Sequence, residues 1–231
     1  MTRGQILLDF DGTIAIEDTT DCLLERFAEP SWRDVEDAWE AGLIGSRDCL
    51  AQQVDLLRAS ESDLERFISQ VHVDPGFLSF VEACSAARFN IMIVSDGLDR
   101  IVRGVIERTG LKLPIAANRL ERSGDDRWRL AFPHASANCS SASGNCKCAH
   151  AASALLGPRI VVGDGRSDFC AAGSADYVFA KGRLRAHCVE NGIAHAPIAN
   201  LTEATLLFDD WFQHVASLSE VAHEHAEAEP S

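Results

Sequence analysis

The sequence predicts an α/β protein: a three-layer core built on a parallel sheet, with a small helical cap inserted after the first strand. Three observations carry this. Short apolar runs without alternation recur at Ile6-Leu7-Leu8, Ile91-Met92-Ile93-Val94, Ile160-Val161-Val162 and Tyr177-Val178-Phe179. Unalternated strands separated by helical patterns belong to parallel sheets covered on both faces. Each run also ends in small or polar residues, at Asp9, Ser95, Gly163-Asp164 and Ala180, and ligands of such sheets bind beyond the carboxyl ends of the strands.

The elements follow in order. After Asp9 the chain reads as helix only, with three- and four-residue apolar spacing over Thr20 to Ala28, Trp32 to Ala41, Arg47 to Arg58 and Glu61 to Val71. Ser60 with Asp63 is a capping start for the last of these. The block is too long for a simple crossover, so residues 16–74 are assigned to the cap. Residues 1–15 and 75–218 are assigned to the catalytic core, with Asp74-Pro75-Gly76 marking the return. Leu98 to Thr109 is a helix following the second strand. Asn118 to Phe132 alternates around Gly124 and reads as a β-hairpin, and Pro133 to Asn145 as a loop. Asn200 with Glu203 opens a last helix to about Leu218, and residues 219–231 form an acidic tail expected to be disordered.

Composition narrows the function. The 231 residues are 46% hydrophobic and 24% charged, ordinary for one globular unit with an insertion. A net charge of −14 argues against nucleic acid and anionic membranes as partners. The opening apolar run is too short for a signal segment, and no later one approaches the roughly 20 residues of a membrane span. The expectation is a cytoplasmic protein, monomer or homodimer, with its eight cysteines reduced.

The chemistry is carried by the strand ends. In Asp9-Phe10-Asp11-Gly12-Thr13, two carboxylates stand two residues apart as the chain leaves a strand. They can divide phosphoryl transfer: one attacks phosphorus, the other moves protons to and from the leaving oxygen and water. An ordinary Asp-Gly turn is the plainer alternative; the four fixed residues Asp, Asp, Gly and Thr together arise by chance about once in 10⁵ positions at average residue usage. Asp164 completes an oxygen-rich site with Asp9 and the Asp11 carbonyl, a donor set suited to Mg²⁺. Ser95-Asp96-Gly97, read as a hydroxyl with free amides at a helix start, makes a phosphate cradle. The lysines are Lys112, Lys147 and Lys181. Lys147 precedes the strand leading to Asp164 and can offset phosphate charge, with Asp168 holding its ammonium; Lys181 is its rival.

Taken in chain order, Asp9-x-Asp11-Gly12-Thr13, Ser95, Lys147 and Gly163-Asp164-x-x-x-Asp168 resemble the motifs of the haloacid dehalogenase (HAD) superfamily of phosphatases. The helical insert resembles that of the phosphoserine phosphatase branch. The resemblance implies a Rossmann-like core, Asp9 as nucleophile and Asp11 as general acid and base. It also implies Ser95 and Lys147 on the phosphate, and Mg²⁺ on Asp9, Asp11 and Asp164, with Thr13 and Asp168 in support. Trp128, Phe132-Pro133-His134, Cys139 and Cys146-Lys147, with Phe27-Ala28-x-Pro30-x-Trp32, resemble the 2-hydroxy-3-keto-5-methylthiopentenyl-1-phosphate phosphatase subfamily of methionine salvage. A small phosphorylated metabolite is thus the expected substrate.

Substrate-reading candidates in the cap are Glu17, Asp18, Arg47 and Gln53. Phosphoserine phosphatases pair an early acid with an arginine deeper in the cap. Here that position falls near Gln52 or Gln53, so phosphoserine is the less favoured substrate. Phosphotransfer to an alcohol and a non-catalytic interaction protein are the remaining alternatives. His134, Cys139, Cys146, Cys148 and His150 are weighed as a zinc set, as reduced loop residues, and as a redox-sensitive pair. Cys22, Cys49, Cys84, Cys170 and Cys188 are expected to be small core residues.

Overall fold

A computed structural model describes residues 3–139, 142–152 and 157–212; the acidic tail and the end of the last helix lie outside them. Seven strands form one sheet in the order β4-β3-β2-β1-β5-β6-β7. They are β1 Gly4–Leu8, β2 Phe89–Leu98, β3 Ile115–Arg122, β4 Trp128–Ala131, β5 Arg159–Gly163, β6 Tyr177–Ala180 and β7 His195–Pro197. All pairings are parallel except β3 with β4, which is the hairpin expected after Asn118. The apolar runs are buried because both faces are covered. Ile6, Leu8, Ile93 and Val162 enter one core, with Ile101 and Val105 of helix α6 (Asp99–Arg108). Leu7, Val161 and Val178 enter the other, with Leu184 and Cys188 of helix α9 (Gly182–Asn191). Successive strand residues point to opposite faces, so a three-residue apolar run serves both layers.

Strand order reverses at β1, since the chain builds outward through β2, β3 and β4 before returning to β5 on the other side. Leu8 is in register with Ile93 of β2 and with Val162 of β5. Three strands therefore end side by side at the switch point, where open α/β sheets bind ligands.

Between β1 and helix α5 (Phe77–Ala86) stand α1 Thr19–Phe27, α2 Trp32–Glu40, α3 Ser46–Asp55 and α4 Glu61–Gln70. Asp18 caps α1 by accepting from the Asp21 amide at 3.0 Å, and Ser60 with Asp63 forms a full capping box on α4. The insert leaves and returns through a narrow neck: Ala15 bridges Val73, and the Asp74 amide donates to Ile14 O at 2.8 Å. Trp128 of β4 is buried under it and donates Nε1–H to Ala59 O at 2.7 Å. A final helix covers residues 201–212, opened by Asn200, whose Oδ1 accepts from the Glu203 amide at 2.9 Å.

Two expectations are corrected here. β2 does not end at Ser95; it runs to Leu98, which pairs with Asn118 of β3 after a register shift, while α6 begins at Asp99, one residue from the expected start. Of the five cysteines assigned to the core, Cys22 is exposed and Cys170 only half-buried, while Cys49, Cys84 and Cys188 are buried.

Candidate active site

Asp9 is the first residue past β1, tied to β5 by its amide, which donates to Val162 O at 2.9 Å. Its carboxylate is buried, and both the Phe10 amide (2.8 Å) and Lys147 Nζ (2.6 Å) bond to Oδ1. Lys147 opens helix α7 (Lys147–Ala152), is 3% exposed, and also donates to Asp168 Oδ1 at 2.6 Å. Asp168 Oδ2 in turn accepts from the amides of Asp164 and Gly165, each at 3.2 Å. A buried cation thus lies between two buried carboxylates, one of them clamped to the loop after β5. Burial pushes the Lys147 ammonium down, but Asp168 and Asp9 outweigh it and keep it charged. Lys181, the rival cation, sits at the start of α9; its charge acts on Asp164 alongside that of Lys147.

Asp11 sits differently. Its Oδ1 accepts from the Thr19 amide (2.8 Å) and Thr19 Oγ1 (2.6 Å), and its Oδ2 from Ser95 Oγ (3.2 Å). Burial, then the Asp18 charge, raises its pKa to about 7, against the lowering effect of these donors. A carboxyl that can hold or release its proton near neutrality is matched to general acid–base work.

Gly12 and Gly97 let the loops converge. Gly12 has φ +66°, and a Cβ there would come within 2.4 Å of Asp164 Oδ2; a Cβ on Gly97 would come within 2.6 Å of Asp11 Oδ2. Both are under any tolerable contact, so glycine is required for the β1, β2 and β5 loops to meet.

Ser95 Oγ accepts from the Gly97 amide at 2.9 Å. The Asp96 carboxylate is engaged by protein groups. It accepts from Ser46 Oγ (2.9 Å), the Asn145 amide (2.8 Å) and Asn118 Nδ2 (3.2 Å), joining the insert, the Lys147 loop and β3. Asn145 Nδ2 donates to Ser95 O and Ala116 O, both at 2.8 Å. That buried amide fixes the approach to Lys147, and sequence reasoning missed it because an asparagine in a polar loop carries no periodic signal. Thr13 is buried, without a hydrogen-bond partner for its hydroxyl among the described residues.

Oxygens of Asp9, Asp164 and Asp168 lie within 4.8 Å of one another. Asp168 is already engaged by Lys147 and two amides, which leaves Asp9 and Asp164 as the donors for a cation. Burial and the Asp168 charge raise Asp164 to about 6, and the same causes push Asp9 well above the usual carboxylate range despite Lys147. An all-oxygen, under-compensated set fits a hard divalent ion such as Mg²⁺. His134, Cys139, Cys146, Cys148 and His150 do not bring three ligand atoms together in this way among the described residues. Cys146 and Cys148 have sulfurs 3.1 Å apart, and the His134 and His150 rings meet edge to face at 5.1 Å. No disulfide forms among the eight cysteines.

The strand ends open into a cavity of about 850 Å³ between core and insert. Asp9, Asp11, Asp96 and Asp164 line its floor, while Asp18, Asp21, Glu36, Trp39, Ser46 and Gln53 face it from the insert. Of the four substrate-reading candidates, Asp18 and Gln53 are in this lining. Glu17 and Arg47 are outside it, paired with His72 (3.1 Å) and Asp48 (3.3 Å) on exposed surfaces. Arg166 from the loop after β5 stacks its guanidinium over Trp39 at 4.8 Å, and Arg183 approaches Glu40 at 3.9 Å. With Ser46 on Asp96, these contacts tie insert to core around the rim.

Residues 6–173 match the model of the haloacid dehalogenase-like hydrolases. The chain belongs to that family. As a HAD hydrolase it is similar to 2-hydroxy-3-keto-5-methylthiopentenyl-1-phosphate phosphatases. The Exiguobacterium sp. protein is 32% identical over 83% of this chain and 91% of its own length, and that of Geobacillus kaustophilus 32% identical over 86% and 93%. Among solved structures, a phospho-aspartyl intermediate analogue of phosphoserine phosphatase superposes with TM-score 0.68. It is 19% identical and covers 90% of this chain and 99% of that one, so the shared feature is the fold. This HAD protein is a phosphatase. No helix of the described residues is long and apolar enough to cross a membrane.

Proposed function

We propose that the chain is a Mg²⁺-dependent phosphomonoester hydrolase acting on a small phosphorylated metabolite through a phosphorylated Asp9. The observation that carries this is the division between two buried carboxyls two residues apart. Asp9 has its hydrogen bonds on one oxygen beside a fixed ammonium, and Asp11 is poised to titrate near neutrality.

In this reading the free oxygen of Asp9 attacks phosphorus and the bond from phosphorus to the ester oxygen breaks. Asp11 gives its proton to the departing oxygen. Asp11 then takes a proton from water, whose oxygen attacks the acyl phosphate; phosphate leaves and the Asp9 carboxylate is restored. Lys147 holds Asp9 and offsets charge on the phosphoryl oxygens, the Ser95 hydroxyl and the Gly97 backbone lie beside the transferring group, and Asp168 keeps Lys147 in place. Asp9, Asp164 and the Asp11 carbonyl would hold Mg²⁺, which supplies further neutralisation of phosphoryl charge when bound. Residues 16–74 act as a cap that excludes bulk water and carries the groups reading the leaving alcohol.

The substrate favoured by the named relatives is 2-hydroxy-3-keto-5-methylthiopentenyl 1-phosphate. Phosphoserine is disfavoured because Gln53 donates Nε2–H to Glu36 at 2.7 Å, leaving no cation there for a carboxylate. The test is phosphate release from enol, sugar and seryl phosphates with Mg²⁺ and then with chelator, with Asp9→Asn alongside. Mass gain of one phosphoryl group on Asp9 supports the reading. Near-native turnover by a folded Asp9→Asn protein ends it.

A further inference from the structure

The wall of the cavity facing the strand ends has a chemistry the catalytic reading does not use. Glu36 of α2 lines it, and its contacts fall on Oε2: Gln53 Nε2 donates at 2.7 Å, and the Cys49 thiol lies at 3.8 Å, the same distance as to Val35 O, so its one hydrogen is shared between the two acceptors. Gln53 is 3% exposed, and burial, then the Glu36 charge, pushes the Cys49 thiol up to about 12, so it stays a donor. Glu36 is therefore held from behind by two neutral groups.

The surroundings favour one kind of ligand. Asp18 and Asp21 line the same cavity, the Asp21 carboxyl pushed up to about 7 chiefly by burial, and of the two lining arginines Arg166 stacks over Trp39 while Arg183 lies 3.9 Å from Glu40. A carboxylate placed at Glu36 would meet like charge, and the groups that flank Glu36, Gln53 and Cys49, are neutral and offer it no cation. A hydroxyl would instead find a charged acceptor, and such a bond is about twice as strong as a neutral one. Thr20 adds an independent sign of a ligand. It lines the cavity, is 9% exposed, and its hydroxyl has no partner among the described residues. Leu50 and Ile16 add apolar surface to the cavity.

We propose that Glu36, positioned by Gln53, determines specificity by accepting a hydrogen bond from a hydroxyl of an uncharged leaving group and by repelling leaving groups that carry a carboxylate. This rests on the phosphomonoesterase reading above. A site built to receive a hydroxyl rejects analogues lacking it because its own polar groups are then left unpaired.

The experiment compares kcat/KM for glycerol 1-phosphate, 3-phosphoglycerate and propyl phosphate, with Mg²⁺ supplied. The first two differ in a hydroxymethyl group against a carboxylate, and the third lacks the hydroxyls. p-Nitrophenyl phosphate reports phosphatase activity independently of leaving-group reading. The expected result is that the wild type favours glycerol 1-phosphate over each of the other two alkyl esters by at least about tenfold. In Glu36→Gln, the preference over 3-phosphoglycerate falls by about tenfold, since the amide removes the like charge. In Gln53→Ala, KM for glycerol 1-phosphate rises more than kcat falls. Turnover of p-nitrophenyl phosphate with no wild-type preference among the alkyl esters overturns the proposal while leaving the phosphatase reading intact. So does a folded Glu36→Gln protein with the wild-type ratio. Absence of turnover on all four esters overturns both.

Discussion

Lys147 Nζ lies 2.6 Å from Asp9 Oδ1, with both side chains buried and Asp168 at the same distance on the other side. The ammonium is the compensation for two carboxylates removed from water. Taking away one partner of a buried ion pair leaves the remaining charges stranded, at about 3–5 kcal/mol. Lys147→Met is therefore expected to destabilise by about that amount at pH 7 and to abolish measurable phosphate release. Its sign with pH is fixed: Asp9 already titrates above its unfolded value, chiefly through burial, and loses the lowering effect of Lys147 in the variant, so stability is lost as pH rises and recovered as it falls. Chemical unfolding at pH 5 and pH 7.5 checks this, and the variant's deficit should be smaller at the lower pH.

Removal of divalent cation should have a structural signature as well as a catalytic one. Asp9, Asp164 and Asp168 crowd within 4.8 Å, and Asp9 and Asp164 titrate high. A ligand binding only the folded state stabilises by about 2.7 kcal/mol at a hundred times its dissociation constant. Adding Mg²⁺ to chelator-treated protein is expected to raise Tm in a concentration-dependent way, and Asp164→Asn should blunt that rise. A Tm indifferent to Mg²⁺ up to millimolar concentrations would contradict the assignment of this cluster.

Asp11 gives the pH dependence its direction. Its folded pKa of about 7 lies above the ordinary carboxyl value, so between roughly pH 4 and 7 the folded protein binds more protons than the unfolded chain. The stability of the metal-free protein therefore declines as pH rises through that window, and Asp11→Asn should flatten the decline. In turnover, the proton must be present to be donated, so kcat/KM on alkyl esters should fall above about pH 7. Asp11→Asn should cost about 10²–10⁴-fold on alkyl phosphates and far less on p-nitrophenyl phosphate, whose leaving group needs no proton. Equal losses on both esters would argue against Asp11 as the acid.

What could be seen in the sequence was what is local. The apolar runs, the Asp9-x-Asp11-Gly12-Thr13 turn and the Gly163-Asp164 turn are contiguous, and the register of β1 with β2 and β5 then aligns their ends. The insert helices were recognisable because apolar spacing and the Ser60–Asp63 box are short-range signals. The end of β2 was misplaced because Ser95-Asp96-Gly97 looks like a helix cap in isolation, whereas pairing of Leu98 with Asn118, a distant residue, keeps the chain extended up to the start of α6. Glu36, Trp39, Ser46 and Asn145 escaped for the same reason. Their roles come from which loop faces them across the cavity, and no spacing within one segment encodes that.

The rim contact between Arg166 and Trp39 is the last of these long-range relations, and it predicts how the insert is held. Arg166 belongs to the loop that carries Asp164, and Trp39 to α2, so their stack at 4.8 Å couples that loop to the α2 side of the cavity. Such a contact contributes about 0.5–1 kcal/mol at an exposed site, comparable to the Arg183–Glu40 approach nearby, whose partners are 66% and 53% exposed and which is weak for that reason. Trp39→Ala should thus loosen closure without unfolding the core, because the apolar neck at Ala15 and Val73 and the Trp128 anchor stay in place. The expected result is a KM raised about two- to fivefold with a smaller change in kcat, together with faster proteolytic cleavage in α2 or α3. Arg166→Ala should reproduce the effect on KM, and the double variant should add little to either single change, since both remove the same contact. Fully additive losses would mean that the two residues act apart.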